Sequence, residues 1–367
     1  MKKYPTLILF TLFIMLFSVV DLLTPYRDFS DLENRVLANA PDFSIEALVD
    51  GEFSVDYETY VNDQFVGRDS WITLKSVAEQ GLGKIVNNSI VYGRDDYLFD
   101  LTLTFDEERY EKNKIFLSEF VEKFKDDNVF VSFIPNSTSV MTSNLPIGFP
   151  GVNQEAIVQD ILKSGAKEMS YIDLFMPLQA KSDEAIYYKT DHHWTTLGAY
   201  YAYVALSETL GYVPQNLSDF ESVAVNDFYG TYYSRVKNPF VKSEDMTYYQ
   251  IPNVEMTILD QTYDSLYDES KFETYDKYSA FLRGNNGLTT IKSDANNDKK
   301  LLIIKDSYAN SLVPFMTSHY ETIELLDVRH ANLSVEDLIN QGDYDQILFL
   351  FSVSNFTTET HIAKLRY

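Results

Sequence analysis

Residues 299–316 read KKLLIIKDSYANSLVPFM. Leu301–Ile304 is a continuous apolar run, the pattern of a strand buried on both faces. Asp306-Ser307 then breaks the run, and the residues that follow predict a helix. A strand, a sharp turn and a helix in that order form the repeating unit of an open parallel sheet. Ligands in such folds bind beyond the carboxyl ends of the strands, where Ser307 falls. Asp306 or Ser307 equally suits the plain role of a helix N-cap.

Working outward, the same alternation continues. Downstream, "ETIELLDVRH" (321–330) reads as a strand and "SVEDLINQ" (334–341) as a helix capped by Ser334. "DQILFLFSVSNF" (345–356) reads as a buried strand ending in a polar turn. Upstream, 105–127 is a polar helix, 128–135 a buried strand, 153–163 a helix and 168–175 a strand. Residues 212–298 are rich in Tyr, Asp, Asn and Ser with weak periodicity, which predicts an irregular or β-rich insertion. Residues 46–85 carry a helical pattern, and 89–99 a hairpin around Gly-Arg-Asp-Asp. The fold class expected is α/β, a parallel sheet with flanking helices. No repeat of 20–50 residues is present.

The N-terminus predicts a membrane segment. Lys2 and Lys3 precede a run from Tyr4 to Leu23 whose only charge is Asp21. About 20 apolar residues span a bilayer, and the two Lys would stay on the cytoplasmic side. No small-residue cleavage site follows closely, so the reading is an uncleaved anchor rather than a cleaved signal, with the bulk of the chain extracytoplasmic. The divisions expected are 1–24 for this segment, 25–45 for a polar, Pro-punctuated tether, and 46–367 for one domain carrying the insertion. The chain has no Cys, which excludes disulfides and thiolate chemistry, and a formal charge of −25, which disfavours nucleic acid as a partner.

The second informative stretch is "KTDHHWTTLGAYYAY", Lys189 to Tyr203. It concentrates two of five His and one of two Trp in four positions. A nucleophilic Ser needs a base, and the base needs a carboxylate to fix its tautomer. Asp191 and His193, two apart, can meet around a bend. A metal site on Asp191, His192 and His193 is a second reading, although His319, His330 and His361 show no ligand-like spacing. A third is structural: Thr195 or Thr196 caps a helix to Leu210, ended by Gly211, and Trp194 packs.

Four strings together, Asp191-His192-His193-Trp194, "ENRVLANAPDF" (33–43), "YVNDQFVGRDSW" (60–71) and "KDSYANS" (305–311), resemble the bacterial DHHW family. That family is similar to the AlgJ/AlgX-type alginate O-acetyltransferases, SGNH-hydrolase-like proteins in circularly permuted order. The resemblance implies Asp191, His193 and Ser307 as a triad, and Asn355 and Arg329 as oxyanion or substrate-binding residues. His192 and Trp194 join them as candidates for substrate contact. It further implies O-acetyl transfer to an exported or cell-surface polysaccharide, or its reversal by an esterase, or non-catalytic glycan binding. No metal or other cofactor is expected, and a membrane-embedded protein would deliver the acyl group. Lys305 stands where SGNH proteins carry Gly, and Val313 where the alginate enzymes carry Tyr. Tyr229, Tyr232, Tyr233, Tyr248 and Tyr249 could stack on sugars or simply pack.

Overall fold

The structure is a computed structural model that describes residues 4–30, 35–165 and 169–367. Lys2 and Lys3, the first two residues of the "ENRVLANAPDF" string, and the first residue of the 168–175 strand lie outside the described residues. The chain divides into two units, Met1–Asn87 with Ser234–Val241, and Asn88–Tyr233 with Lys242–Tyr367. Residues 46–87 therefore group with the N-terminal segment.

In the first unit, a helix spans Pro5–Leu23. Its mean hydropathy is 2.5 and none of it is buried, so it is long and apolar enough to cross a membrane. The Asp21 carboxylate at its far end accepts a hydrogen bond from the Val66 N–H. Helices Glu52–Gln64 and Arg68–Gly81 follow. Two of the motif strings meet here: the Arg35 guanidinium forks onto Asp63, with Nη1 2.8 Å from Oδ2, and the Ala38 N–H donates to the same oxygen at 2.9 Å. The Arg35 hydrogen bonds outweigh burial and lower the Asp63 pKa to about 2. The stability contributed by this ionised carboxylate is therefore complete above the ordinary Asp pKa and is lost as pH falls towards 2. Asp63→Asn is expected to cost about 1–3 kcal/mol, read as a lower urea midpoint for the full chain at pH 7, with the gap between variant and native narrowing on acidification.

The second unit is built on an eight-stranded sheet. In chain order its strands are β1 (Val129–Ile134), β2 (Ser170–Ile172), β3 (Val254–Ile258), β4 (Gln261–Tyr263), β5 (Leu288–Ser293), β6 (Lys300–Lys305), β7 (Thr322–Leu326) and β8 (Gln346–Ser352). They lie side by side as β4-β3-β5-β7-β6-β8-β1-β2. The five from β7 to β2 are parallel, with Ile303 opposite both Leu325 and Leu348. The insertion supplies the antiparallel edge β4-β3-β5 and a separate hairpin, Ser222–Phe228 with Glu244–Tyr249.

Helices α1 (Glu107–Lys123), α2 (Gln154–Ser164), α3 (Thr196–Leu210), α4 (Val335–Gly342) and α5 (Val353–Thr358) flank the sheet. Leu117 and Phe120 of α1, Ile157 and Ile161 of α2, Ile339 of α4 and Phe356 of α5 share one core with Leu302, Ile304, Phe349 and Phe133. Leu301 and Ile303, the alternate positions of β6, are buried as well, as a strand covered on both faces requires. Strand order reverses about β6: the chain moves from β6 to β7 on one side, then crosses to β8 on the other. The carboxyl ends of β6 and β8 therefore form the switch point of the sheet, the place where open α/β folds hold ligands.

The segment after β6 departs from the helix that the sequence predicts. Ser307–Ser311 is a 3-10 turn, and only Val313–Met316 is α-helical. Pro314 explains the break. Inside a continuous helix its ring would clash with the carbonyl four residues back, whereas the first turn tolerates it.

Candidate active site

Ser307 sits at the carboxyl end of β6, and Asp306 fixes the turn that presents it. The buried Asp306 carboxylate accepts from the Tyr308 N–H at 3.0 Å, the cap expected of it. Its other oxygen reaches across the switch point, accepting from Ser352 N at 2.8 Å, Ser352 Oγ at 2.7 Å and Asn355 Nδ2 at 2.8 Å. One carboxylate thus ties the end of β6 to the end of β8 and pins the Asn355 side chain. Lys305 runs beneath the turn to Asn310 Oδ1 at 2.6 Å, and burial lowers its pKa to about 8.

Asp191 and His193 approach Ser307 from the bend before α3. Thr195 caps that helix by accepting from the Gly198 N–H, and Gly211 ends it with a φ of 74°. Asp191 Oδ1 accepts from the His193 backbone N–H at 2.9 Å and lies 2.6 Å from His193 Nδ1. His193 Nε2 lies 2.9 Å from Ser307 Oγ. Asp191 is a carboxylate, so His193 Nδ1 carries the hydrogen and Nε2 presents a lone pair to the serine. Asp191 Oδ2 accepts from the Thr231 N–H at 2.7 Å and the Thr231 hydroxyl at 3.0 Å. Burial alone would raise the Asp191 pKa. The adjacent imidazoles and these hydrogen bonds outweigh it and hold the carboxyl well below the usual range.

Residues from the insertion complete the surroundings. The Tyr278 ring stacks on His193 with centroids 3.7 Å apart and planes 8° from parallel. Burial raises its phenol pKa far above the ordinary value, and the hydroxyl bonds to the Ser307 carbonyl at 3.2 Å and to Ser311 Oγ at 3.1 Å. Gly230 passes close against Asp191: a Cβ there would lie 2.2 Å from the Asp191 Cβ and 2.5 Å from Oδ2. Gly230→Ala should force the carboxylate from its hydrogen bonds at a cost of roughly 1–3 kcal/mol. A lowered melting temperature is the expected readout.

The other candidates scatter. Trp194 is fully buried and donates from Nε1 to the Tyr308 carbonyl and Ser311 Oγ, each at 3.0 Å. It braces the Ser307 turn and cannot face a ligand, which corrects its reading as a substrate contact. Arg329 forks onto the buried Asp327, with Nε 2.8 Å from Oδ1 and Nη2 2.6 Å from Oδ2. Asn355 uses one of its two side-chain N–H groups on Asp306. His192 stands beside His193, its Nδ1 2.7 Å from Thr231 Oγ1. Tyr232 and Tyr248 are buried in packing, and Tyr229, Tyr233 and Tyr249 are half-buried.

Asp191, His192 and His193 each offer an atom within 4.8 Å of the others, close enough to consider a metal ion. Both oxygens of Asp191 and Nδ1 of His193 are engaged with one another or with protein N–H and O–H groups. An ion would have to displace those bonds, so the donor set suits proton transfer better than ligation.

Residues 150–326 match the model of a family described as DHHW protein. A DHHW family protein from Eubacterium siraeum shares 26% identity, over 77% of this chain and 96% of that one, with a TM-score of 0.65. PatB1 of Bacillus cereus matches at 19% identity and a TM-score of 0.61, over 74% and 98%. The O-acetyltransferase domain of Pseudomonas putida AlgJ matches at 15% identity and a TM-score of 0.48, over 76% and 98%. No curated protein matches the chain. The matched segment carries both the Asp-His-His-Trp string and Ser307, and over it the chain is similar to the DHHW proteins.

Proposed function

We propose that this protein is an extracytoplasmic O-acyltransferase, transferring acetyl groups to an exported or cell-surface polysaccharide through an acyl-Ser307 intermediate. The observation that carries the proposal is the unbroken line from Asp191 Oδ1 to His193 at 2.6 Å and from His193 to Ser307 Oγ at 2.9 Å. His193 takes the proton of Ser307 as its Oγ attacks the donor's acyl carbon, then gives it to the leaving group. Asp191 holds the tautomer and stabilises the imidazolium. The Ser307 backbone N–H and the second N–H of Asn355 would receive the developing oxyanion; a lost donor in such a hole costs about 2.7–4 kcal/mol of barrier. Arg329, already forked onto Asp327, would add charge rather than a direct contact.

A transferase must keep water from its acyl intermediate. Ser307 and His193 are 8% and 5% exposed, and the Tyr278 ring covers one face of the imidazole. In this reading the helix Pro5–Leu23 remains on the protein as a single-pass anchor, and a membrane-embedded partner supplies the acyl group. The test uses full-length protein in detergent with p-nitrophenyl acetate, with and without oligosaccharides, and with a chelator. Acetylated sugar appearing as acetate release falls, untouched by chelator, supports the proposal. Acetate release that no acceptor changes, with deacetylation of acetylated polymer, would make the protein an esterase.

A further inference from the structure

Thr231 settles where His192 carries its proton. The single hydroxyl hydrogen of Thr231 goes to Asp191 Oδ2 at 3.0 Å, because a carboxylate can only accept. The same oxygen must then accept from His192 Nδ1, 2.7 Å away. His192 Nδ1 therefore bears the hydrogen and Nε2 the lone pair. No hydrogen-bond partner for Nε2 occurs among the described residues, and 34% of the side chain is exposed. Close packing around the ring, with His193 beside it, lowers the His192 pKa to about 4, so the lone pair is available at neutral pH.

His193 has the same tautomer, and the two ring centroids are 3.7 Å apart. One base suffices for acyl transfer, so a second neutral imidazole beside it calls for its own ligand. His192 holds its Nδ1–H on a neutral hydroxyl at 2.7 Å, with the nearer Asp191 oxygen 3.6 Å away. It is suited to accept a hydrogen bond without taking the proton. Neighbouring hydroxyls on a sugar ring lie within hydrogen-bonding reach of each other, a spacing comparable to that of two rings in van der Waals contact.

Resting on the acyl-transfer reading above, we propose that His192 is a specificity-determining residue that selects acceptors carrying a vicinal diol. One hydroxyl oxygen attacks the acyl carbon of acyl-Ser307 as His193 Nε2 takes its proton. The bond from that carbon to Ser307 Oγ then breaks, and His193 returns the proton to Oγ. The neighbouring hydroxyl meanwhile donates to His192 Nε2 and keeps its hydrogen. The products are the monoacylated diol and free Ser307.

The experiment uses full-length protein in detergent, p-nitrophenyl acetate as donor, and cis- and trans-1,2-cyclohexanediol against cyclohexanol as acceptors. Nitrophenol burst amplitude counts acyl-enzyme formed, and acetylated product is scored per hydroxyl and per acyl-enzyme. The native protein is expected to favour one of the diols by about three- to tenfold, the worth of one neutral hydrogen bond. His192→Phe should erase the preference, and His192→Gln, whose amide oxygen can accept, should keep part of it. Equal use of diols and cyclohexanol by the native protein, which needs no variant to fold, overturns the proposal. So does an undiminished preference in His192→Phe. Hydrolysis of p-nitrophenyl acetate that is undiminished in Ser307→Ala would remove the acyl-Ser307 reading and this inference with it.

Discussion

Ser307→Ala should lower turnover of an activated acetyl ester by about 10⁶-fold, to the residual rate that binding and the oxyanion donors sustain. The side chain has one hydrogen-bond partner of consequence, His193 Nε2 at 2.9 Å. Its removal leaves the turn in place, because Asp306, Tyr278 and Trp194 hold the neighbouring backbone and not the Ser307 hydroxyl. Melting temperature should therefore stay near that of the native protein while activity collapses. His193→Ala should cost nearly as much, and the double variant little more, if serine and base act as one unit. Losses that multiply would mean that the two residues work independently and that the relay geometry is incidental.

Asp191→Asn is expected to cost about 10⁴-fold in kcat, with KM little changed. The carboxylate receives hydrogens from four groups: the His193 backbone N–H, the His193 ring, the Thr231 N–H and the Thr231 hydroxyl. An amide has one accepting atom and one donating atom, so one side of this set must be lost. If its NH₂ faces His193, the ring is driven to the other tautomer and Nε2 turns a hydrogen towards Ser307, which abolishes the base. If it faces Thr231, two donors are left opposed and the loop is destabilised. Steady-state kinetics and thermal unfolding of the same variant separate the outcomes, and a variant with both full kcat and an unchanged melting temperature would show that Asp191 does not fix the tautomer.

Much of the fold was readable because its parallel strands are continuous apolar runs. Leu301–Ile304 and Ile347–Phe351 are buried on both faces, as continuous apolar runs of strand length require. The polar turn expected after the latter is instead the start of α5, with Ser352 accepting from the Asn355 N–H. Asp191 and His193 stood out because the residue types are scarce and adjacent. Thr231, Gly230 and Tyr278 did not. All three come from the segment between α3 and β5, where weak periodicity gives no register from which a contact with Asp191 or His193 can be inferred. Gly230 carried the one available hint, a glycine next to aromatic residues, but its close approach to Asp191 is visible only in three dimensions. For Trp194 the sequence leaves packing and substrate contact both open, and only its burial decides for packing.

The central claim, a covalent acyl-Ser307, is tested most directly by mixing full-length protein with p-nitrophenyl acetate, quenching in acid within the burst, and mapping the digested chain by mass spectrometry. The account predicts one added acetyl group on the peptide that contains Ser307, absent in Ser307→Ala and in His193→Ala. A burst with no acetyl on that peptide, or an acetyl that persists at Ser307 without His193, would contradict it.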